Sequence, residues 1–180
     1  DRLGDDTDFN IALHFDQTAL NIWGAEWQTS LQLGSHSFLR SEFYQPIPEY
    51  LDYFFVLGGE YEKRNLPVYD HAKKISEWDV TDFNGYVGLG RSFGSSAELR
   101  VEYIAGRSDA KIKVGTVPVS ELQEDVGSVT TSFTYDSLDK LFLPHEGAFV
   151  HAEWEASRQD FEATLDYDRV AGLLGVWIGR

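Results

Sequence analysis

The chain has 180 residues, thirty acidic against fifteen basic side chains, a net charge of −15 and 42% apolar residues. That length fits one domain or part of one, and the charge repels phosphate backbones and anionic headgroups, which excludes nucleic-acid binding. With no cysteine, disulfide scaffolds, thiolate metal sites and cysteine nucleophiles are excluded as well.

The chain opens Asp1-Arg2-Leu3-Gly4 without a basic-then-apolar leader, and Met is absent throughout. We therefore expect a processed product, a fragment or the ordered part of something larger. No linker or low-complexity tract divides it, so residues 1–180 are expected to be a single domain or part of one. The longest nearly apolar stretch, Val170 to Gly179, is too short for a helical membrane span, whereas β-barrel strands alternate and leave no such run.

The first alternating segment sets Phe9, Ile11, Leu13 and Phe15 against Asn10, Ala12, His14 and Asp16, and the second runs from Ala25 to Leu33. Alternation continues through Phe38 to Gln45, Tyr53 to Lys63, Ser76 to Arg91 and Glu98 to Arg107. It resumes in Val126 to Asp136, Ala148 to Ser157 and Phe161 to about Ile178. These predict about nine strands. Tight turns are expected at Gly34-Ser35-His36, Pro46-Ile47-Pro48 and Gly94-Ser95-Ser96. Longer polar links are expected over Asn65 to Lys74, Ser108 to Asp125 and Asp139 to Glu146. Ser120 to Asp125 allows one helical turn.

Two features favour a membrane barrel over a soluble barrel or sandwich. Several segments reach the length a tilted strand needs to cross a bilayer. Aromatic residues gather near the expected strand ends: Trp23 and Trp27, Tyr50 with Tyr53, Phe54 and Phe55, then Trp78, Phe93, Tyr135, Phe142 and Trp177. An interfacial girdle has that distribution.

Between Ser132 and Gly147 the residues Tyr135, Asp136, Leu138, Asp139, Phe142, Pro144 and Gly147 resemble the strand-loop-strand signature of the BamA-like bacterial surface antigen barrels. Asp8-Phe9-Asn10, Gly24-Ala25-Glu26-Trp27 and Ser41-Glu42-Phe43-Tyr44-Gln45-Pro46 look like the barrel of patatin-like phospholipase autotransporters, the type Vd secretion class. The resemblance implies an all-β, antiparallel transmembrane β-barrel of sixteen strands in the outer membrane of a Gram-negative bacterium. It also implies outer-membrane lipid as surroundings and upstream POTRA and patatin-like domains in the same polypeptide. The family's later Val-Arg-Gly-Phe/Tyr plug motif does not occur here, so the chain is expected to be roughly the first half of such a barrel. Alternatives are an outer-membrane protein assembly factor of the same superfamily and a soluble ligand-binding β-barrel.

Read physically, Asp136 and Asp139 can hold a turn by accepting bonds from backbone amides, Pro144 blocks ladder pairing and Gly147 permits the bend back. A cation site on Asp136, Asp139 and Glu146 is the less favoured reading. Gly90-Arg91-Ser92-Phe93-Gly94 fits the serine-hydrolase pattern, but an alternating strand follows it where a helix is required. His14, His36, His71, His145 and His151 lack metal-ligand spacing. Pairs such as Glu60/Glu62 and Glu153/Glu155, with Glu26, Glu42, Arg100 and Glu102, read as the lining of a polar lumen. No catalytic residue, cofactor or metal is assigned.

Facing follows from alternation. Leu31, Leu33, Val150, Ala152, Trp154 and Leu165 are expected to point outward, and Gln32, His151, Glu153 and Asp166 inward. Lysine at Val150 should hinder membrane assembly, and lysine at His151 should be tolerated. About nine strands is an odd number for a bacterial barrel, so the edges near Phe9 to Phe15 and Phe161 to Ile178 are expected to need strands from a longer parent or, second, a homo-oligomer.

Overall fold

The computed structural model describes residues 9–70, 73–114, 122–140 and 144–178. Nine strands appear: β1 (Asn10–Gln17), β2 (Glu26–Gly34), β3 (His36–Ile47), β4 (Tyr50–Asp70), β5 (Lys73–Phe93), β6 (Ala97–Val114), β7 (Leu122–Asp136), β8 (Gly147–Ser157) and β9 (Tyr167–Trp177). They form one antiparallel sheet in chain order, open, with β1 and β9 as its edges. Among the described residues there is no α-helix; a 3₁₀ turn at Gln159–Phe161 is the sole helical element.

The period-two pattern dictates this arrangement, because each alternating segment puts one set of side chains on each face and each hairpin preserves the assignment. Pro48 and Glu49 turn β3 into β4, and residues 94–96 turn β5 into β6, with Gly94 at φ +66°. Residues 18–25 join β1 to β2 at this same end of the sheet. There the Asn21 carboxamide oxygen accepts from the Trp23 and Ala25 amides, at 3.0 and 3.2 Å.

Three sequence expectations are corrected. The polar links over 65–74 and 108–125 are largely strand: β4 runs to Asp70, β5 starts at Lys73, β6 runs to Val114 and β7 begins at Leu122. The ladder continues there through cross-strand pairs, Leu66 opposite Trp78 in the first segment and Arg107 opposite Asp125, bonded at 2.9 Å, at the second. For the same reason Leu122 to Asp125 forms no helical turn, while residues 115–121 lie outside the described residues. The last strand starts at Tyr167, not Phe161, because residues 158–166 pair with β7 instead. The Arg158 amide donates to the Gly127 carbonyl and the Thr164 amide to that of Asp125, at 3.3 and 2.9 Å.

Leu165 and Asp166 therefore fall in that connection and take no facing from a ladder. The Leu165 carbonyl accepts from Ser157 Oγ, and Asp166 Oδ1 from the Gln159 amide. The other facing expectations agree with the register.

Candidate membrane-facing surface

Away from its bulges, the register places odd-numbered residues of β1 to β7 and even-numbered residues of β8 and β9 on one face. The opposite face is concave and encloses a trough of about 480 Å³ lined from β3 to β9, with Arg40, Glu60, Tyr86, Arg100, Glu102, His151, Glu153 and Arg169 among its walls.

The trough holds a connected charge network. Glu42 Oε2 accepts from the Tyr86 hydroxyl at 2.8 Å and from Arg40 at 3.3 Å, and Glu42 Oε1 accepts from Arg100 at 3.2 Å. Arg100 also donates to Glu98 and lies 5.3 Å above the Phe54 ring. Further round, Arg169 bonds Glu153 at 2.8 Å and Glu155 at 2.9 Å. Opposite charges so distributed bond one another across neighbouring strands, while the buried Glu102 Oε1 has no hydrogen-bond partner among the described residues.

Beneath the network sit Phe54, 1% exposed, and Val56. The Phe54 ring covers its cross-strand partner Gly90, and the Tyr86 ring covers its own partner Gly58. Phe54, Trp78 and Trp177 thus lie on the concave face by register, which removes them from the expected girdle. Trp27, Tyr53, Phe55, Phe93 and Tyr135 remain on the convex one. Phe142 lies outside the described residues.

The convex face is apolar and uncovered. Leu57, Phe83, Leu89, Leu173's neighbour Leu174 and Val170 are all exposed, Val170 by 80%. Soluble monomers rarely leave so extensive an apolar surface in water. Between Tyr53 and Tyr61 on β4, Phe83 and Leu89 on β5, Ala97 and Ala105 on β6, and Gly127 and Tyr135 on β7, every outward residue is uncharged. The same holds over all of β8 and from Val170 to Val176 on β9.

The borders of this band cross the hydrogen-bond rows obliquely. Outward charge begins at Lys63 on β4 and at Asp168 on β9. The row through Asp168 passes Ala156, Val129, Tyr103 and Val87 to reach β4 at Leu57, six residues short of Lys63. On the other border Trp27 is the aromatic end of β2, and its row reaches β7 at Val129, six residues short of Tyr135. Both borders drift alike over five strand spacings, a slope of about 40° at ~3.3 Å per residue and ~4.8 Å per strand. A planar slab cutting strands tilted by that angle leaves this trace, and membrane barrel strands tilt by about 35–45°.

Of the signature residues, Asp136 Oδ1 accepts from the Leu138 amide at 2.9 Å, and Asp139 Oδ1 accepts from the amides of His145 and Glu146 at 2.8 and 3.2 Å. Tyr135 closes β7 on the convex side, Pro144 lies in the connecting loop, and Gly147 opens β8 at φ +120°. A Cβ on Gly147 would stand 2.4 Å from the Ser137 carbonyl oxygen. Gly147→Val is expected to lower stability by about 1–3 kcal/mol, read as the urea midpoint of the refolded protein. An unchanged midpoint would show that the loop yields freely.

The two amides, His145 first, hold the Asp139 carboxyl below its ordinary value. A depressed acid stabilises the loop above its unfolded pKa and ceases to do so as pH falls through the folded one. The His145 and Glu146 amide resonances should titrate together with a midpoint below the usual aspartate value, and Asp139→Asn should abolish the titration. A midpoint at or above that value would contradict the assignment.

The carboxylates of Asp136 and Asp139 are thus engaged with backbone amides, and among the described residues no group of three or more His, Asp or Glu is arranged to hold a metal ion. Ser92 stands near the end of β5, ahead of the turn at residues 94–96 and β6, a hairpin with no helix. His14, His36 and His151 face the concave side, bonded to Ser30, Glu62 and Thr134 respectively. His71 lies outside the described residues. Sequence reading named Glu42, Arg100 and Glu102 but missed Arg40, Tyr86 and Arg169; only strand register shows that these meet. No protein-family model and no curated protein matches the chain.

Proposed function

We propose that this chain is the membrane-spanning wall of an outer-membrane β-barrel in a Gram-negative bacterium. In this reading it anchors and translocates an upstream patatin-like phospholipase domain. The oblique uncharged band on the convex face carries the membrane part of the proposal: its slope, its aromatic border and its length of about ten residues per strand match a tilted strand crossing a bilayer. The passenger part rests on the resemblance of Tyr135 to Gly147 and of the blocks near Asp8, Gly24 and Ser41 to type Vd autotransporters. A soluble ligand-binding barrel needs its apolar side chains on the concave face, and here that face carries the charge network.

Extraction tests the membrane part. The chain should stay with membranes through an alkaline wash and require detergent for purification; purification without detergent would overturn the reading. The upstream reading frame tests the passenger part. A Ser-Asp hydrolase domain together with a single POTRA repeat supports it, and several POTRA repeats with no hydrolase would replace it with the assembly-factor reading.

A further inference from the structure

Along the aromatic border of the convex face, near the turns at residues 48–49 and 94–96, a single outward strand residue among the described residues carries a charge. It is Arg91 on β5, directly opposite Tyr53. Outward cations at the opposite border are spent on carboxylates, Lys63 on Asp79 at 3.6 Å and Arg107 on Asp125 at 2.9 Å. Arg91 is held differently. Its guanidinium carbon lies over the Tyr53 ring at 5.1 Å and over the Phe93 ring at 4.9 Å, and among the described residues no hydrogen bond or ion pair engages it. Ring contacts of this kind hold the planar group and leave its five N–H donors unused. An exposed guanidinium so held is a seat for an oxyanion, above all a phosphate, which it can bond through two N–H groups at once.

Beside Arg91 the convex face is hollow. The same Tyr53 lines, with Ile47, Tyr50, Phe54, Leu89 and Gly90, an apolar hollow of about 390 Å³. Leu89 is shared with a second hollow of about 610 Å³, whose outward-facing lining includes Phe55, Val101, Tyr103 and Val129 and reaches Val87, midway along the uncharged run of β5. The two hollows thus lead from the level of the guanidinium toward the middle of the band.

We infer that Arg91 and these hollows bind one bilayer lipid, an anionic phospholipid whose phosphate sits on the Arg91 guanidinium and whose acyl chain lies in the hollows. The inference rests on the membrane-wall reading, which sets the Arg91 border at headgroup level and the hollows against hydrocarbon. Charge complementarity selects the headgroup. A chain of net charge −15 repels anionic lipid at large, so a local preference for it comes from Arg91. A zwitterionic lipid carries its own cation beside the phosphate and gains less from the site.

Quenching in phosphatidylcholine vesicles tests this. A bimane label on Leu99→Cys stands opposite Arg91, and a label on Val150→Cys, outward at the same border three strands from β5, is the control. Each is measured against equal minor fractions of phosphatidylglycerol or phosphatidylcholine brominated on the acyl chains. At position 99 the brominated phosphatidylglycerol should quench about fivefold more effectively, the preference that one interfacial Arg confers; at position 150 it should show no advantage. Arg91→Gln should abolish the preference at position 99, and Arg91→Lys should keep part of it. Glycerophosphate added in an amount equal to the brominated lipid should change nothing, because it brings no acyl chain. No preference at position 99, an equal one at position 150, or one unchanged by Arg91→Gln would overturn the inference, as would displacement by glycerophosphate. Flotation of the same vesicles separates the two readings. A chain that never floats sinks the membrane-wall reading and this inference with it, whereas one that floats without the preference sinks this inference alone.

Discussion

Phe54→Ala is expected to destabilise the sheet by about 3–5 kcal/mol, the range for deleting a fully buried aromatic side chain. Phe54 holds three elements together. Its ring is 4.7 Å from that of Tyr44 on β3, covers Gly90 on β5 and lies under the Arg100 guanidinium of β6. Removing it opens a cavity beneath a charge network that needs a firm floor, so Glu42 and Arg100 lose their fixed separation as well. The neighbouring Phe55→Ala faces outward and should cost much less. Urea unfolding of the refolded variants measures both, and equal losses at the two positions would refute the assigned faces.

Val87→Lys is expected to impede membrane assembly by about 2–4 kcal/mol, the cost of a lysine on the lipid face near the bilayer midplane. Val87 is outward, 51% exposed, and sits midway along the uncharged outward run of β5. The oblique band changes what alternation alone predicts for Val150. That residue is level with Tyr135 at the aromatic border, so its lysine variant should cost about 0–1 kcal/mol rather than the full amount. His151→Lys, on the trough wall, should be tolerated. The ratio of membrane-assembled to unassembled protein gives the ranking, and a Val150→Lys defect as severe as Val87→Lys would contradict the tilt.

Strand number and facing were legible in the sequence because a period of two needs only one chain segment to be visible. Leu31, Gln32, Val150 and His151 are sorted by parity before any pairing is known. Strand ends were not legible where alternation is broken or turns polar: Asn65 to Asp70 contains Pro67 and ends on Asp70, Ser108 to Val114 carries Asp109 and Lys111 on its outward side, and only the pairing partners across β4 to β7 show that they are strand. The start of β9 was misplaced because Phe161 and Leu165 alternate by accident with polar neighbours, while Arg158 and Asp168 form a bidentate ion pair that closes the loop around them. The charge network was legible only as a set of inward acids with Arg100 among them. That Arg40, Tyr86 and Arg100 converge on Glu42 depends on register across three ladders. The band's slope is likewise invisible along one strand, since it exists only between strands.

Lipid contact is tested most directly by attaching a fluorophore at single cysteines and measuring quenching by lipids that carry a quencher at a chosen depth. Outward positions Leu31, Val87 and Ala152 should be quenched strongly by the mid-depth lipid. Tyr53 and Tyr135 should respond to the shallow one, and inward positions Gln32, Asn84 and His151 to neither. Period-two quenching whose deepest point shifts along successive strands by the slope of the band is the predicted result. Equal quenching on both faces, or none on either, would contradict a membrane-spanning wall.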